Sequence, residues 1–127
     1  MEHAALKEAV TVYIEAYNRF DVDGMLAPLH EEVVFRNIAN GEVSLTTTGK
    51  EDFRGQAEQA TRYFSEREQR VIHWQLAGNR VKVAIDYCAT VAMELPNGLK
   101  PGDTLRLQGK SVFQFDDGKI ISIEDIS

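Results

Sequence analysis

Large apolar residues recur through the first twenty positions at the spacing of one helix face. The intervals between them are four, three, four and three residues, which fits a helical turn of about 3.6 residues. Glu8, Glu15 and Arg19 fall outside this stripe, as expected of a solvated face. The pattern predicts an amphipathic first helix whose buried stripe contains Leu6, Val10, Tyr13, Tyr17 and Phe20.

A second helix and two strands are predicted next. Asp21 is suited to cap the amino end of a short helix, because its carboxylate can accept hydrogen bonds from backbone N–H groups. A polar break at 30–32 separates this helix from a strand at 33–38. After a turn, residues 42–47 are expected to form a short edge strand.

Helical spacing returns after residue 48. Thr48 and Glu51 have the spacing of a capping box, in which each side chain bonds a backbone N–H of the other residue. The apolar stripe continues to the start of a charged segment, so the third helix is predicted to run to about Arg67. Its buried face contains Phe53, Ala57, Ala60 and Phe64.

From Gln69 onward the apolar repeat changes to two residues, which is typical of strands. Ile72, Trp74 and Leu76 are expected to point inward, and the last strand is expected at Lys119–Ile126. Helices followed by a four-strand meander predict an α+β fold, with helices packed on one face of a curved antiparallel sheet. A length of 127 residues predicts a single domain, 1–127.

One face of the long strand that begins near residue 81 is unusual in composition. Its outward positions include Ala84, Cys88, Thr90 and Ala92, which are small and only mildly polar. Small side chains allow another surface to approach closely, so this face is interpreted as a homodimer interface. The alternative is an ordinary, partly exposed strand face.

Charge and composition narrow the classes of partner. The net charge is −6, which disfavours binding to nucleic acid or to an anionic membrane surface. Cys88 is the one cysteine, so no disulfide forms within the chain, and no apolar run is long enough to span a bilayer. Together these features favour a cytoplasmic protein.

Cofactor and metal motifs are missing from the sequence. It contains neither a glycine-rich dinucleotide fingerprint nor a phosphate-binding loop. His3, His30 and His73 lie far apart, so a zinc site is not predicted. We therefore expect no cofactor and no metal. A sheet that curves around helices instead leaves room for an apolar pocket that binds a small hydrophobic molecule.

Three stretches of the chain carry a family resemblance. They are YIEAYNRFDVDGMLAPLHEEVVFRN, TGKEDFRG and FQFDDGKIISIEDI. They resemble the nuclear transport factor 2-like superfamily, and within it the SnoaL-like and ketosteroid-isomerase-like group. The resemblance implies a cone-shaped α+β fold around about three helices in the N-terminal half, a deep apolar pocket and often a dimer through the sheet. Members include isomerases, cyclases, dehydratases, epoxide hydrolases and non-catalytic binding modules.

The resemblance also suggests catalytic positions. Tyr13 matches the tyrosine that donates to the oxyanion in the isomerases, and Ser111 matches their second oxyanion donor, an aspartic acid. Asn37 stands where those enzymes have their aspartate base, and an amide cannot accept a proton at useful pH. Steroid-type isomerisation by that mechanism is therefore disfavoured. Strand alternation places Asp125 on the inner face, as the remaining acid–base candidate.

The sequence is compatible with two functions. The first is an isomerase-, cyclase- or dehydratase-type enzyme for a small carbonyl- or hydroxyl-bearing molecule, with Tyr13, Ser111 and Asp125 as catalytic residues. The second is a non-catalytic ligand-binding or dimeric assembly module. From the sequence alone, a core tyrosine bonded to the backbone is the simpler interpretation of Tyr13, and Trp74 could pack in the core or stack on a ligand. The predicted pocket is lined by Tyr17, Phe35, Asn37, Trp74, Ile85, Tyr87 and Phe113.

Overall fold

The first half of the chain contains two helices, two strands and a third helix, and strands alone make up the second half. The computed structural model describes residues 2–127, and within them it contains three helices and six strands. In chain order these are α1 (His3–Asn18), α2 (Val22–Leu26), β1 (Leu29–Ala39), β2 (Glu42–Thr48), α3 (Lys50–Ala60), β3 (Phe64–Ala77), β4 (Arg80–Val91), β5 (Thr104–Asp116) and β6 (Lys119–Ile126).

The strands form one sheet in the order β2-β1-β6-β5-β4-β3. Neighbouring strands are antiparallel except β1 and β6, which are parallel. The sheet is therefore mixed, whereas the sequence pattern predicts an antiparallel one. The reason is topological: β6 fills the place between β1 and β5, and a strand that is antiparallel to β5 in that place runs parallel to β1.

The predicted first helix is confirmed as far as Asn18, and its apolar stripe forms the centre of the core. Phe20 does not continue the stripe, because it lies beyond the helix end with φ at 60°. Leu6, Val10 and Tyr13 are buried against the inner face of the sheet, where Val83 and Phe113 are also buried. The second helix begins where predicted, since the Asp21 carboxylate accepts a hydrogen bond from the N–H of Gly24 at 3.0 Å.

The carboxyl end of α1 is attached to β3 by Asn18. Its side-chain oxygen accepts a hydrogen bond from the Gln69 N–H at 2.7 Å, and its amide donates to the Gln69 carbonyl at 3.1 Å. The two bonds fix the last turn of α1, which carries Tyr17, beside the first half of β3.

Three further predicted boundaries are wrong. The third helix ends at Ala60, because a turn at 61–63 interrupts it and Phe64 starts β3. The polar residues at 30–32 lie within β1, where Glu31 and Glu32 are exposed to solvent. The cap of α3 is Gly49, with φ at 89°, and Asp52 rather than Glu51 accepts the hydrogen bond from the Thr48 N–H.

A β-bulge changes the inward set on β3. The register with β4 shifts between Val71 and His73, so Ile72 is the extra residue and is 55% exposed instead of pointing inward. Trp74 and Leu76 do pack against the core, as predicted. Across residues 2–127, no helix combines the length and apolarity that a membrane crossing requires.

Candidate functional site

Two adjoining cavities lie between the helices and the inner face of the sheet. The larger has a volume of about 270 Å³ and the smaller about 190 Å³. Tyr17, Asn37 and Asp125 belong to the walls of both cavities. The two spaces therefore meet at these three side chains, and Asp125 faces each of them.

The floor at this meeting point is a row of residues across three neighbouring strands. Asn37 on β1 is the register partner of Asp125 on β6, and Asp125 is in turn the partner of Ser111 on β5. The Ser111 hydroxyl donates a hydrogen bond to Oδ1 of Asp125 at 2.6 Å. Sheet register, rather than proximity in sequence, brings these polar groups together.

Asp125 is half-buried, with protein atoms around its carboxyl group. This burial raises its pKa to about 6, and the hydrogen bond from Ser111 opposes the rise only in part. A carboxyl group with this pKa exchanges its proton near neutral pH, so it can act as a base and then as an acid. Ser111 directs its hydroxyl proton to Asp125, so we assign it to orienting that carboxyl group rather than to an oxyanion.

Tyr13 is buried on α1, and its ring packs edge-on against Phe113 with 5.7 Å between ring centroids. It forms part of the wall of the smaller cavity together with Asp125. Burial, and then the negative charge of Asp125, raise the pKa of the Tyr13 hydroxyl well above its usual value. The phenol therefore keeps its proton and acts as a hydrogen-bond donor.

Tyr17 and Tyr87 form a hydroxyl pair in the larger cavity. Their oxygens lie 2.9 Å apart, and both residues line that cavity. Burial raises the pKa of each phenol, so both remain protonated. Since one hydroxyl donates to the other, one proton of the pair is left over for a ligand or a water molecule.

Of the other predicted pocket residues, three line the cavities and two do not. Phe35 lines the smaller cavity, Ile85 lines the larger, and Asn37 lines both. The Asn37 amide donates to the Ser44 hydroxyl at 2.9 Å. Phe113 packs beneath Tyr13, and Trp74 lies near the amino end of α1, where the Lys7 ammonium group is 4.9 Å from its ring centroid. Neither belongs to the walls of these two cavities.

Arg67 is a wall residue that the sequence interpretation misses. Its side chain is only 6% exposed and lines the smaller cavity. The helix prediction extends to this position, which hides the alternation of Arg67, Gln69 and Val71 along β3. Counting alternate residues from Phe64 would not find it either, because the register with β4 also shifts between Phe64 and Glu66, so that both Phe64 and Arg67 face inward.

The outward face of β4 carries the small residues noted in the sequence. Ala84, Cys88 and Thr90 are half-buried there, and Ala92 follows the end of the strand and is exposed. Long polar side chains flank them on both sides, since Ala84 pairs with His73 on β3 and with Lys110 on β5. Within residues 2–127, no three side chains of histidine, cysteine, aspartate or glutamate lie close enough together to bind a metal ion.

Solved structures with the same fold are numerous. A candidate polyketide cyclase from Xanthomonas campestris pv. campestris is 25% identical, with a TM-score of 0.81 over 98% of this chain and 90% of the other. A ketosteroid isomerase-like protein from Catenulispora acidiphila, solved with trimethylamine, is 16% identical, with a TM-score of 0.77 over 93% and 83%. IdmH from Streptomyces antibioticus, a candidate polyketide cyclase, is 16% identical, with a TM-score of 0.78 over 95% and 90%.

These likenesses confirm the predicted cone-shaped α+β fold and its relation to the nuclear transport factor 2-like superfamily. No curated protein sequence matches the chain. The profile of the SnoaL-like domain family, however, matches residues 10–123. That match covers most of the chain, including the helix that carries Tyr13 and the strand that carries Ser111, and on this basis the protein belongs to the SnoaL-like domain family.

Proposed function

We propose that the protein is an acid–base enzyme that moves a proton on a small, mainly apolar molecule bearing a carbonyl or hydroxyl group. The observation that carries the proposal is Asp125, an enclosed carboxyl group held by Ser111 at the junction of two cavities. The SnoaL-like family and the candidate polyketide cyclases among the similar structures support the same reaction class. The protein solved with trimethylamine supports a small-molecule ligand.

The proposed first step is removal of a proton from the carbon next to a carbonyl group. Ionised Asp125 accepts this proton, and the electron pair of the C–H bond moves to the carbonyl oxygen to form an enolate. The Tyr13 hydroxyl donates a hydrogen bond to that oxygen, where the negative charge develops. Protonated Asp125 then returns its proton to the product.

Isomerisation, ring closure and loss of water differ only in the fate of the enolate. In isomerisation it is reprotonated at another carbon, in ring closure it attacks a second carbonyl group, and in dehydration it expels a hydroxyl group. All three reactions share the first step, which can therefore be tested before the natural substrate is known.

The test is exchange of hydrogen for deuterium at the α-carbon of a small cyclic ketone, 2-tetralone, in heavy water. Mass spectrometry measures the deuterium content with and without protein. We expect the enzymatic rate to rise as the pH passes about 6, where Asp125 ionises, and then to level off. Asp125→Asn should lower the rate about a hundredfold or more, since the base is lost. Tyr13→Phe should lower it by about a hundredfold.

Glu124→Gln is the matched control, because Glu124 precedes Asp125 on β6 and lies on the opposite face of the strand. It should exchange at the wild-type rate. If Asp125→Asn exchanges as fast as the wild type, the acid–base proposal is wrong. If the wild-type protein binds the ketone without exchanging it, the result favours the second function, a non-catalytic ligand-binding module.

We also propose that two copies of the chain associate through the outward face of β4. Support comes from the small, half-buried side chains Ala84, Cys88 and Thr90 in the middle of that face. Small residues on the outward face of the sheet allow close contact between copies. This assembly is independent of the proposed chemistry, because the cavities open on the opposite, inner face of the sheet.

A further inference from the structure

We propose that Arg67 is a binding site for an anionic oxygen, so that the ligand is an apolar, flat molecule carrying a carboxylate or an equally acidic hydroxyl. The inference rests on the proposed function in that it assigns the ligand of the same cavity. It concerns binding only, however, and does not depend on the role of Asp125.

Arg67 lacks a counter-ion among the described residues. None of the ion pairs within residues 2–127 includes Arg67, so no carboxylate lies within ion-pair distance of its guanidinium group. Its Nε donates a hydrogen bond to the Tyr17 carbonyl oxygen at 2.8 Å, and Nη2 is buried without any partner among the same residues. A buried charge without a counter-ion is destabilising, so its presence requires a reason.

Two aromatic rings surround the guanidinium group of Arg67. Its central carbon lies 3.7 Å from the ring centroid of Tyr17 and 4.5 Å from that of Phe20. These cation–π contacts offset part of the desolvation but supply no negative charge. They also leave the guanidinium group little freedom to turn, so it is oriented before any ligand arrives.

The smaller cavity gives a ligand access to Arg67. Arg67 is almost fully shielded from bulk solvent, yet it forms part of the wall of the 190 Å³ cavity. The remaining walls include the rings of Tyr13, Phe35 and Phe53, together with Asp125, which lies beyond ion-pair distance of Arg67. Aromatic walls with one cation match a flat apolar molecule with one anionic oxygen, because arginine forms charge-assisted hydrogen bonds with such groups.

The experiment compares two probes that differ mainly in charge, 2-naphthoate and 2-naphthamide. Isothermal titration calorimetry gives the dissociation constant of each with the wild-type protein, Arg67→Met and Arg67→Lys. We expect the wild type to bind the carboxylate about tenfold or more tightly than the amide, the margin typical of a charge-assisted hydrogen bond. Arg67→Met should remove this preference, and Arg67→Lys should keep part of it.

The matched control is Arg70→Met on the same strand. The Arg70 side chain is 65% exposed and pairs with Asp86 at 2.8 Å, away from the cavity. This variant should keep the wild-type preference. A purely structural role of Arg67 would change both dissociation constants together and leave their ratio unchanged, so the ratio is the decisive measurement.

Three outcomes overturn the proposal: equal binding of the two probes by the wild type, an unchanged ratio in Arg67→Met, or an equal loss of preference in Arg70→Met. The first needs no variant, so it applies even if Arg67→Met fails to fold. Asp125→Asn separates this proposal from the acid–base proposal. It should slow deuterium exchange about a hundredfold or more but keep the carboxylate preference, so each proposal can fail without the other.

Discussion

Asp125 and Arg67 are two enclosed ionisable residues of opposite charge that share the smaller cavity without pairing with each other. Each is held by an uncharged group instead, Asp125 by the Ser111 hydroxyl and Arg67 by the Tyr17 carbonyl oxygen. A direct ion pair would lower the pKa of Asp125 and occupy the guanidinium group. Their separation therefore leaves one carboxyl group able to exchange a proton near neutral pH and one cation able to bind an anion.

The raised pKa of Asp125 also predicts how stability depends on pH. The carboxyl group has a pKa of about 6 in the folded chain and an ordinary value of 3.8. Between these values the folded state holds a proton that the unfolded state has released, so the free energy of unfolding falls as the pH rises. The full difference corresponds to about 3 kcal/mol, which is reached above pH 6.

Asp125→Asn removes this loss because the amide stays neutral. We expect the variant and the wild type to be similarly stable near pH 4 and the variant to be more stable near pH 8, by as much as about 3 kcal/mol. Urea denaturation across this range measures the difference, and Glu124→Gln should behave like the wild type. A difference between Asp125→Asn and the wild type that does not change with pH would contradict the enclosure of this carboxyl group.

Helices and strands with a regular apolar repeat are predicted well from the sequence, whereas the turns and bulges that interrupt a repeat are predicted poorly. The last strand has the predicted bounds, Lys119–Ile126, because the turn at Asp117 and Gly118 marks its start, although its register with β5 shifts between Ile120 and Ser122. The predicted third helix is too long because Phe64 keeps the helical spacing across the turn at 61–63. The alternation of apolar residues places Ile72 inward because a bulge leaves no mark in that pattern.

The same limits decide which site residues can be found from the sequence. Tyr13, Asn37 and Asp125 lie on stretches whose period is regular, since the bulge in β6 comes before Ser122, and the structure places all three on the cavity walls. Arg67 lies beyond the true helix end, within the stretch that the sequence assigns to the helix, and so it escapes notice. The bond between Ser111 and Asp125 cannot be foreseen either, because it depends on the register between β5 and β6.

The junction between β5 and β6 depends on Gly109. A Cβ atom at this position would lie 2.6 Å from the carbonyl oxygen of Ile126, closer than such atoms approach. Gly109→Ala should therefore push the end of β6 away and lower the free energy of unfolding by roughly 1–3 kcal/mol, as overpacking does. Because Asp125 precedes Ile126, the variant should also slow the deuterium exchange of 2-tetralone.

Gly55→Ala provides the control for the Gly109 variant. Gly55 lies within α3, and a Cβ atom there would meet nothing within 4 Å. Alanine favours a helix over glycine, so this variant should be more stable than the wild type by about 0.5–1 kcal/mol. Urea denaturation measures both variants, and equal stability of Gly109→Ala and the wild type would show that β6 tolerates the added methyl group.

For the whole molecule, the mixed sheet explains how residues from both ends of the chain form one site. β6 lies between β1 and β5, so the last residues of the chain reach the cavity that α1 covers. The net charge of −6 opposes the approach of an anion from a distance. An anionic ligand would therefore depend on short-range contact with Arg67 rather than on long-range attraction, and added salt should speed its association.

Assembly of two copies through β4 is the prediction that belongs to the whole molecule. Ala84 lies near the middle of β4 on its outward face, so Ala84→Arg places a long charged side chain at the proposed contact while the cavities on the inner face stay unchanged. Sedimentation velocity should show the wild type with the mass of two chains and Ala84→Arg with the mass of one.

Gln59→Arg adds the same charge on the exposed side of α3, away from the sheet face, and should sediment like the wild type. If the wild type sediments as a single chain, the outward face is an ordinary strand face and the small residues there have no partner. If Ala84→Arg remains a dimer, the two copies meet elsewhere. Because the catalytic and binding proposals rest on the inner face, a monomeric Ala84→Arg should still exchange 2-tetralone and still prefer 2-naphthoate to 2-naphthamide.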